Sequence, residues 1–319
     1  MSTSRLPDFF IIGHPKSGTT ALYEMLRRHP QIFMPKAKEP RFFASDLPSS
    51  FQRSSDEPPL TREDYLALFR DAGPEQRVGE ASTAYIWSET AAALIAEARP
   101  DARIIAILRE PASFVRSMHL QLLQIRIETQ ASLRKAIALE DARRAGRELP
   151  SAFRRWPQVL VYSDRVRYVE QLRRYHALFA PEQILTLIYD DFRDDNEAVV
   201  RRVLRFLEVD DTLHIEPLQA NPTVRVRSKR LEDMVRTADL GRGSLARAVK
   251  GTARIAMPSR RLRKQAFSLV RERFVFGAPA PADESLMGEL RRRFKPEVEA
   301  LSEYLGRDLV TLWGYDDLD

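Results

Sequence analysis

Four large apolar residues, Phe9-Phe10-Ile11-Ile12, run into the loop Gly13-His14-Pro15-Lys16-Ser17-Gly18 and out through Thr19-Thr20-Ala21-Leu22-Tyr23-Glu24-Met25-Leu26. The apolar run has the length of a buried strand, and Leu22, Met25 and Leu26 recur at helical spacing. A buried strand passing through a short glycine-bearing loop into a helix is the opening of an α/β domain, in which helices cover a sheet. The same geometry aims loop amides and the open N–H groups of a helix start at one point, which is an anion site.

Gly13 and Gly18 keep the glycine spacing of the nucleotide-triphosphate loop, G-x-x-x-x-G-K-[ST]. Thr19, however, stands where that motif has its lysine, and Lys16 lies inside the loop. Thr19 and Thr20 both offer hydroxyls to a phosphate. Such a loop suits one phosphate with a reacting group beside it, rather than a β,γ-phosphate pair with Mg²⁺. Pro15-Lys16-Ser17-Gly18-Thr19-Thr20 resembles the 5′-phosphosulfate loop of the sulfotransferases that use 3′-phosphoadenosine 5′-phosphosulfate. The resemblance implies that Lys16, Ser17, Gly18, Thr19 and Thr20 hold this donor and that Lys16 is catalytic, following the charge on the bridging oxygen. Sulfonate transfer of this kind is in-line and requires no metal.

The resemblance extends along the chain. Lys36-Ala37-Lys38-Glu39-Pro40-Arg41-Phe42-Phe43 resembles the family's lysine–glutamate–proline run before paired phenylalanines, which lies beside the donor loop. It implies Glu39 as the base that takes the acceptor's proton. Glu80, in Glu80-Ala81-Ser82-Thr83-Ala84-Tyr85, also follows a family pattern and is a second candidate. His14, a loop residue that titrates near neutrality, is a third. Arg103 to Leu108 reads as a central strand ending in Arg109, with a helix from Pro111 carrying Ser117. Arg109 and Ser117 resemble the family's 3′-phosphate site, a guanidinium fork with one hydroxyl. Strands at 77–82 and 183–189 alternate with helices at 61–69, 88–98, 133–147, 162–179 and 190–207, an order that implies right-handed crossovers and a parallel sheet. The expected fold is α/β: a central parallel sheet flanked by helices in three layers, like that of P-loop nucleotide hydrolases. A single domain is expected over 1–319, with a core at 7–210 and a helical C-terminal extension at 211–319.

Hydrophobic residues make up 44% and charged residues 30% of the 319, which specifies a packed core rather than disorder. The chain has no cysteine, so disulfides, thiolate metal sites and a cysteine nucleophile are excluded. No apolar run approaches the roughly 20 residues of a membrane span, and the start lacks an apolar signal core. A cytoplasmic protein is expected. The formal net charge of +6 favours anionic ligands. Beyond residue 210 the chain turns basic, with Arg225, Arg227 and Lys229 as further donor-site candidates. Residues 231–273 carry an arginine-rich helical pattern that reads as a solvated helical cap or as a contact with anionic lipid. Glu284 to Leu305 reads as a final helix closed by Gly306, with Trp313 and Tyr315 tucking the tail onto the body. The expected acceptor is a hydroxyl or amine of a carbohydrate, glycolipid or small metabolite, held by loops at 42–60 and 126–160 and by parts of the C-terminal third, with no nucleic-acid partner. The rival readings are a nucleotide-dependent kinase or hydrolase on the same fold, and a non-catalytic binder of anions or membrane surfaces.

Overall fold

The computed structural model describes residues 5–48, 60–213, 225–226, 276–277 and 281–318. By contact the chain divides into two compact units, Met1–Asn221 with Asp283–Asp319, and Pro222–Ala282. Within the first unit, five strands form one sheet: β1 (Phe9–Gly13), β2 (Ile32–Phe33), β3 (Arg77–Ala81), β4 (Arg103–Leu108) and β5 (Ile184–Ile188). Their order is β2-β3-β1-β4-β5, and every pairing is parallel. β1 is buried along its whole length and β4 along all but its first residue, as strands covered on both faces must be.

The pleat divides the core. Phe9, Ile11, Ile105, Ile107, Leu185 and Leu187 face α1 (Thr19–Leu26) and the later helix of residues Asn196–Phe206. Phe10 turns the other way and meets Phe43 and Tyr85 edge-on. α2 (Arg62–Ala67) starts at Thr61, whose hydroxyl accepts from the Asp64 amide. α3 (Ala91–Ala98) leads to β4, and α4 (Pro111–Gln124) leaves it, capped by Glu110 on the amides of Ala112 and Ser113.

Three stretches expected as single helices are divided. Residues 133–147 form α5 (Leu133–Ala138) and α6 (Glu140–Arg144). Residues 162–179 contribute α7 (Tyr168–His176) only, because Arg167 leaves the helical region at φ −79°, ψ 63° after two short 3₁₀ turns. Residues 190–207 form α8 (Tyr189–Asp194) and α9 (Asn196–Phe206), broken at Asp195. The Asp195 carboxylate bonds the Ala198 amide, so it starts a helix rather than continuing one.

α10 (Glu284–Leu305) is capped by Asp283 and closed by Gly306 at φ 60°, and α11 (Leu309–Trp313) follows. Both lie in the first unit. α10 packs on α4 and α7, and Glu297 accepts from the Val169 amide at 2.8 Å. The tail is tied as expected: Trp313 Nε1 donates to Asp190 at 2.9 Å, and the buried Tyr315 hydroxyl donates to Glu110. In the second unit the described residues form β6 (Arg225–Val226) paired antiparallel with β7 (Phe276–Gly277). Arg227, Lys229 and the basic stretch at 231–273 lie outside the described residues. Among the described residues no helix is long and apolar enough to cross a membrane.

Candidate functional site

Parallel pairing brings the ends of β1, β3, β4 and β5 to one edge, where an open α/β sheet forms its ligand crevice. Register fixes the neighbours: Ile11 lies opposite Ala81 and Gly13 opposite Ile107. The loop after β1 therefore emerges beside the segment after β3 and beside Arg109 at the end of β4.

The loop is wound tightly. Gly13 has φ +139°, and a Cβ there would stand 2.6 Å from the Ile107 carbonyl oxygen. Gly18 has φ +85° and precedes α1, and a Cβ on it would meet the Phe192 ring at 2.8 Å. Lys16 has φ 67°, a left-handed conformation costing a non-glycine residue roughly 1–2 kcal/mol. α1 has no side-chain cap and no acidic residue in its first turn. Its positive end and open amides are thus left for an anion. Ser17 is fully buried, and its hydroxyl has no partner among the described residues. A polar atom orphaned inside an anion-binding loop fits a ligand oxygen.

Lys38 links this loop to the carboxylate. Its Nζ donates to Thr20 Oγ1 at 3.1 Å, reaches Thr19 Oγ1 at 3.5 Å and contacts Glu39 Oε1 at 3.3 Å. Glu39 is then fixed from the other side by Thr83, whose amide and hydroxyl donate to its two oxygens at 3.0–3.2 Å. Arg41 Nε donates to Glu39 Oε2 at 3.4 Å. Burial alone raises the Glu39 pKa, but Lys38, Arg41 and the Thr83 bonds outweigh it and hold the carboxyl below the usual range. Glu39 and Arg41 adopt φ of 62° and 56°, so left-handed backbone recurs on both sides of the cleft. The Glu39 amide donates to Ala81 O at 3.0 Å, which docks this segment onto the end of β3.

Arg109 closes the third side. Nη1 donates to Lys16 O at 2.7 Å and to Ser117 Oγ at 3.3 Å, and the guanidinium lies 4.8 Å from the Tyr189 ring centroid. The structure thus gathers Lys16, Ser17, Gly18, Thr19, Thr20, Glu39, Arg109 and Ser117 around one cleft. Burial first, and Arg109 second, lower the Lys16 pKa.

The other two base candidates stand elsewhere. The His14 ring is fully buried between Phe114 and Tyr168, with both centroid distances 4.5 Å. Burial, helped by Arg165, pushes it down to about 3, so it stays neutral at physiological pH. Glu80, on β3, is fully buried, and Tyr65 and Ser82 donate to it at 2.6 Å and Tyr85 at 3.0 Å. Ser82 Oγ in turn accepts from the Arg41 amide at 3.1 Å, so Glu80 braces the Glu39–Arg41 segment.

Burial pushes Glu80 up to about 7 against the three hydroxyl donors, with the Glu39 charge adding to the rise. Because this folded-state value lies above the model-peptide value of 4.5, the contribution is full below about pH 4.5 and fades as pH rises through 7. The melting temperature of the native protein minus that of Glu80→Gln is therefore expected to fall steadily from pH 5 to pH 8 in thermal melts. A difference that stays constant over that range would show that Glu80 ionises as an ordinary carboxyl.

Two residues of the cleft escaped the sequence reading as individuals. Lys38 was visible only as one of three cations around Glu39. Thr83 had no signal of its own, although its place between Ser82 and Tyr85, in the Glu-x-Ser-x-x-Tyr pattern, marked the segment.

The sequence model described as the sulfotransferase family matches residues 7–212. Among curated proteins, the chain is 30% identical over 212 residues to the human bifunctional heparan sulfate N-deacetylase/N-sulfotransferase 3, covering 64% of this chain and 22% of that protein. It is 32% identical over 147 residues to human carbohydrate sulfotransferase 15, covering 33% of this chain and 25% of that protein. The chain thus spans a quarter or less of the length of these relatives. A solved structure of a sulfotransferase from Alicyclobacillus acidocaldarius superposes with a TM-score of 0.66 at 25% identity, covering 97% of this chain and 99% of that one.

Proposed function

This chain belongs to the sulfotransferase family, and on that premise we propose that it moves a sulfonate from 3′-phosphoadenosine 5′-phosphosulfate to a hydroxyl of a carbohydrate acceptor. Its relatives, a heparan sulfate N-deacetylase/N-sulfotransferase and a carbohydrate sulfotransferase, support a saccharide over other acceptors. One observation carries the reading: a single ammonium, Lys38 Nζ, bonds the loop hydroxyls on one side and the Glu39 carboxylate on the other.

The loop amides, Thr19 and Thr20 hold the 5′-phosphate, and Arg109 with Ser117 holds the 3′-phosphate. Glu39 removes the acceptor proton. The acceptor oxygen forms its bond to sulfur as the bond from sulfur to the phosphate oxygen breaks, and the released electron pair stays on the phosphate. Lys16 stands at that oxygen and meets the growing charge, and the loop amides share it. Because Lys38 contacts both groups, negative charge arriving with the donor draws the ammonium toward the phosphosulfate. Glu39 then loses part of the interaction that depresses its pKa, which makes it a better base once the donor is bound.

Calorimetry with 3′-phosphoadenosine 5′-phosphate, followed by transfer of labelled sulfonate to a saccharide panel, tests the reading. Folded protein that neither binds the bisphosphate nor transfers label would overturn it. Arg109→Ala is expected to weaken 3′-phosphoadenosine 5′-phosphate by about 10- to 100-fold, the range for hydrogen bonds to a charged group. Adenosine 5′-phosphate should weaken less than about threefold. Equal losses for the two nucleotides would remove Arg109 from the 3′-phosphate.

A further inference from the structure

A second cavity, of about 330 Å³, opens between Trp87 and the residues on either side of the α7 start. That volume lies at the lower end of the range for small-ligand sites. Its floor contains an unusual cation. Arg165 is 3% exposed and has no carboxylate within ion-pair distance among the described residues, and its Nε has no hydrogen-bond partner. Its guanidinium carbon lies 3.3 Å from the Trp87 ring centroid. Gln171, 1% exposed, also lines the cavity, with its Nε2 donating to Arg165 O at 3.1 Å and its side chain bonded to the His14 ring. Arg174, on the same wall, likewise has no ion-pair partner among the described residues, and its Nε is unbonded.

Three of the four acids around this cavity are bonded to other groups, and the Asp164 charge also acts on Arg165. Asp46 accepts from the hydroxyls of Ser88 and Thr90 and from the Glu89 amide. Asp164 is held by Arg144 at 2.8 Å, and Glu170 pairs with Arg167. Glu89 is exposed to solvent. Burying a guanidinium without a counter-ion is costly unless a ligand supplies the charge. Burial, with help from Arg41, already lowers the Arg165 pKa to about 9. Arg165 also bears on the reaction cleft from its own position. Its charge acts on His14 of the loop, and the Arg41 that acts on it is the residue paired to Glu39.

We propose that this cavity is the acceptor's anionic subsite, in which Arg165, with Arg174 at the wall, holds a carboxylate or sulfate group carried by a sugar ring next to the one being modified. The inference rests on the sulfotransferase reading and deepens it: the enzyme takes an acidic saccharide and rejects its neutral counterpart. The polar walls suit the ring hydroxyls, since the arginines are donors. A planar fork matches a carboxylate or a sulfate face equally well.

The test is calorimetry on the full chain saturated with 3′-phosphoadenosine 5′-phosphate. The titrants are a hexuronate-containing disaccharide, a sulfated disaccharide, the neutral disaccharide of the same linkage, and inorganic sulfate. The acidic disaccharides are expected to bind at least tenfold more tightly than the neutral one and than sulfate alone. Comparing hexuronate with sulfated sugar identifies the anion. In Arg165→Gln the acidic-to-neutral affinity ratio is expected to collapse toward one. Arg174→Gln, at a more accessible position, provides the same readout if the first variant does not fold, with the ratio falling two- to fivefold.

Equal affinity for acidic and neutral sugars in the native protein would overturn the proposal. So would an unchanged ratio in a folded Arg165→Gln or Arg174→Gln, and so would sulfate binding as tightly as the acidic sugars, which would mean an anion site with no saccharide selectivity. Failure of the bisphosphate to bind at the outset would instead count against the sulfotransferase reading, and the same sugar titrations without nucleotide would then decide the subsite by itself.

Discussion

Replacing Lys16 by alanine is expected to cut turnover by on the order of 10³-fold, the cost of removing one charge-stabilising donor from a preorganised site, with the melting temperature little changed. Lys16 is held in a left-handed conformation, and its carbonyl is fastened by Arg109 at 2.7 Å. That anchor involves only the main chain, so alanine keeps it and loses the ammonium alone. Burial and Arg109 both make the Lys16 charge less comfortable in the empty cleft. The arriving phosphosulfate relieves this, and the charge that grows as sulfur departs relieves it further. The interaction is therefore stronger in the transition state than in the ground state, which is the condition for an effect on kcat rather than on KM. Single-turnover transfer with labelled donor reads the step directly. A Lys16→Ala variant retaining more than about a tenth of native turnover would take the lysine out of the mechanism.

Glu39→Gln is expected to lower turnover by about 10²- to 10⁴-fold, the span for losing a general base, while donor-product affinity stays within about threefold. The amide is isosteric with the carboxylate, and its oxygen still accepts from Thr83. Proton acceptance is lost, and the amide nitrogen faces Lys38 or Arg41 where an anion was. Because those cations and Thr83 hold the Glu39 carboxyl of the free enzyme below its ordinary value of 4.5, the acid limb of the kcat/KM profile should lie below pH 4.5, and that of kcat above it in pH, as the bound donor draws Lys38 away. A kcat/KM acid limb centred near 7 would match Glu80 rather than Glu39, and a Glu39→Gln loss below about threefold would reassign the base.

Much of this was written in local sequence. Phe9 to Leu26 is a strand, a glycine loop and a helix whatever surrounds it, because the apolar run, the two glycines and the helical spacing all act over a few residues. The same holds for β4 running into Arg109 and for the Gly306 stop. Local signals were poorer where a side chain had a choice of partner. Asp195 divides the helix pair α8 and α9 because its carboxylate finds the Ala198 amide, and Arg167 ends the helical stretch before α7 through its own dihedrals.

The loop after β1, the Arg109–Ser117 pair and Glu39 were reached through the resemblance to the sulfotransferases, since each is a short motif on one side of one strand end. Residue types and spacing could not rank Glu39, Glu80 and His14 as bases, because a carboxylate or imidazole acquires its reactivity from burial and from charges distant in sequence. Glu80 is sealed beneath Tyr65, Tyr85 and Ser82, His14 is clamped between Phe114 and Tyr168, and Glu39 sits among cations and hydroxyls at the cleft. Nor could they reveal that Lys38 reaches back to Thr20, or that Arg165 lies buried over Trp87 with no carboxylate at ion-pair distance among the described residues. Those facts depend on parallel register bringing the segments after β1 and β3 side by side, and on the packing of segments far apart in the chain. Short-range covalent and steric preferences set the elements and the donor loop, whereas long-range packing set the electrostatics on which the chemistry depends.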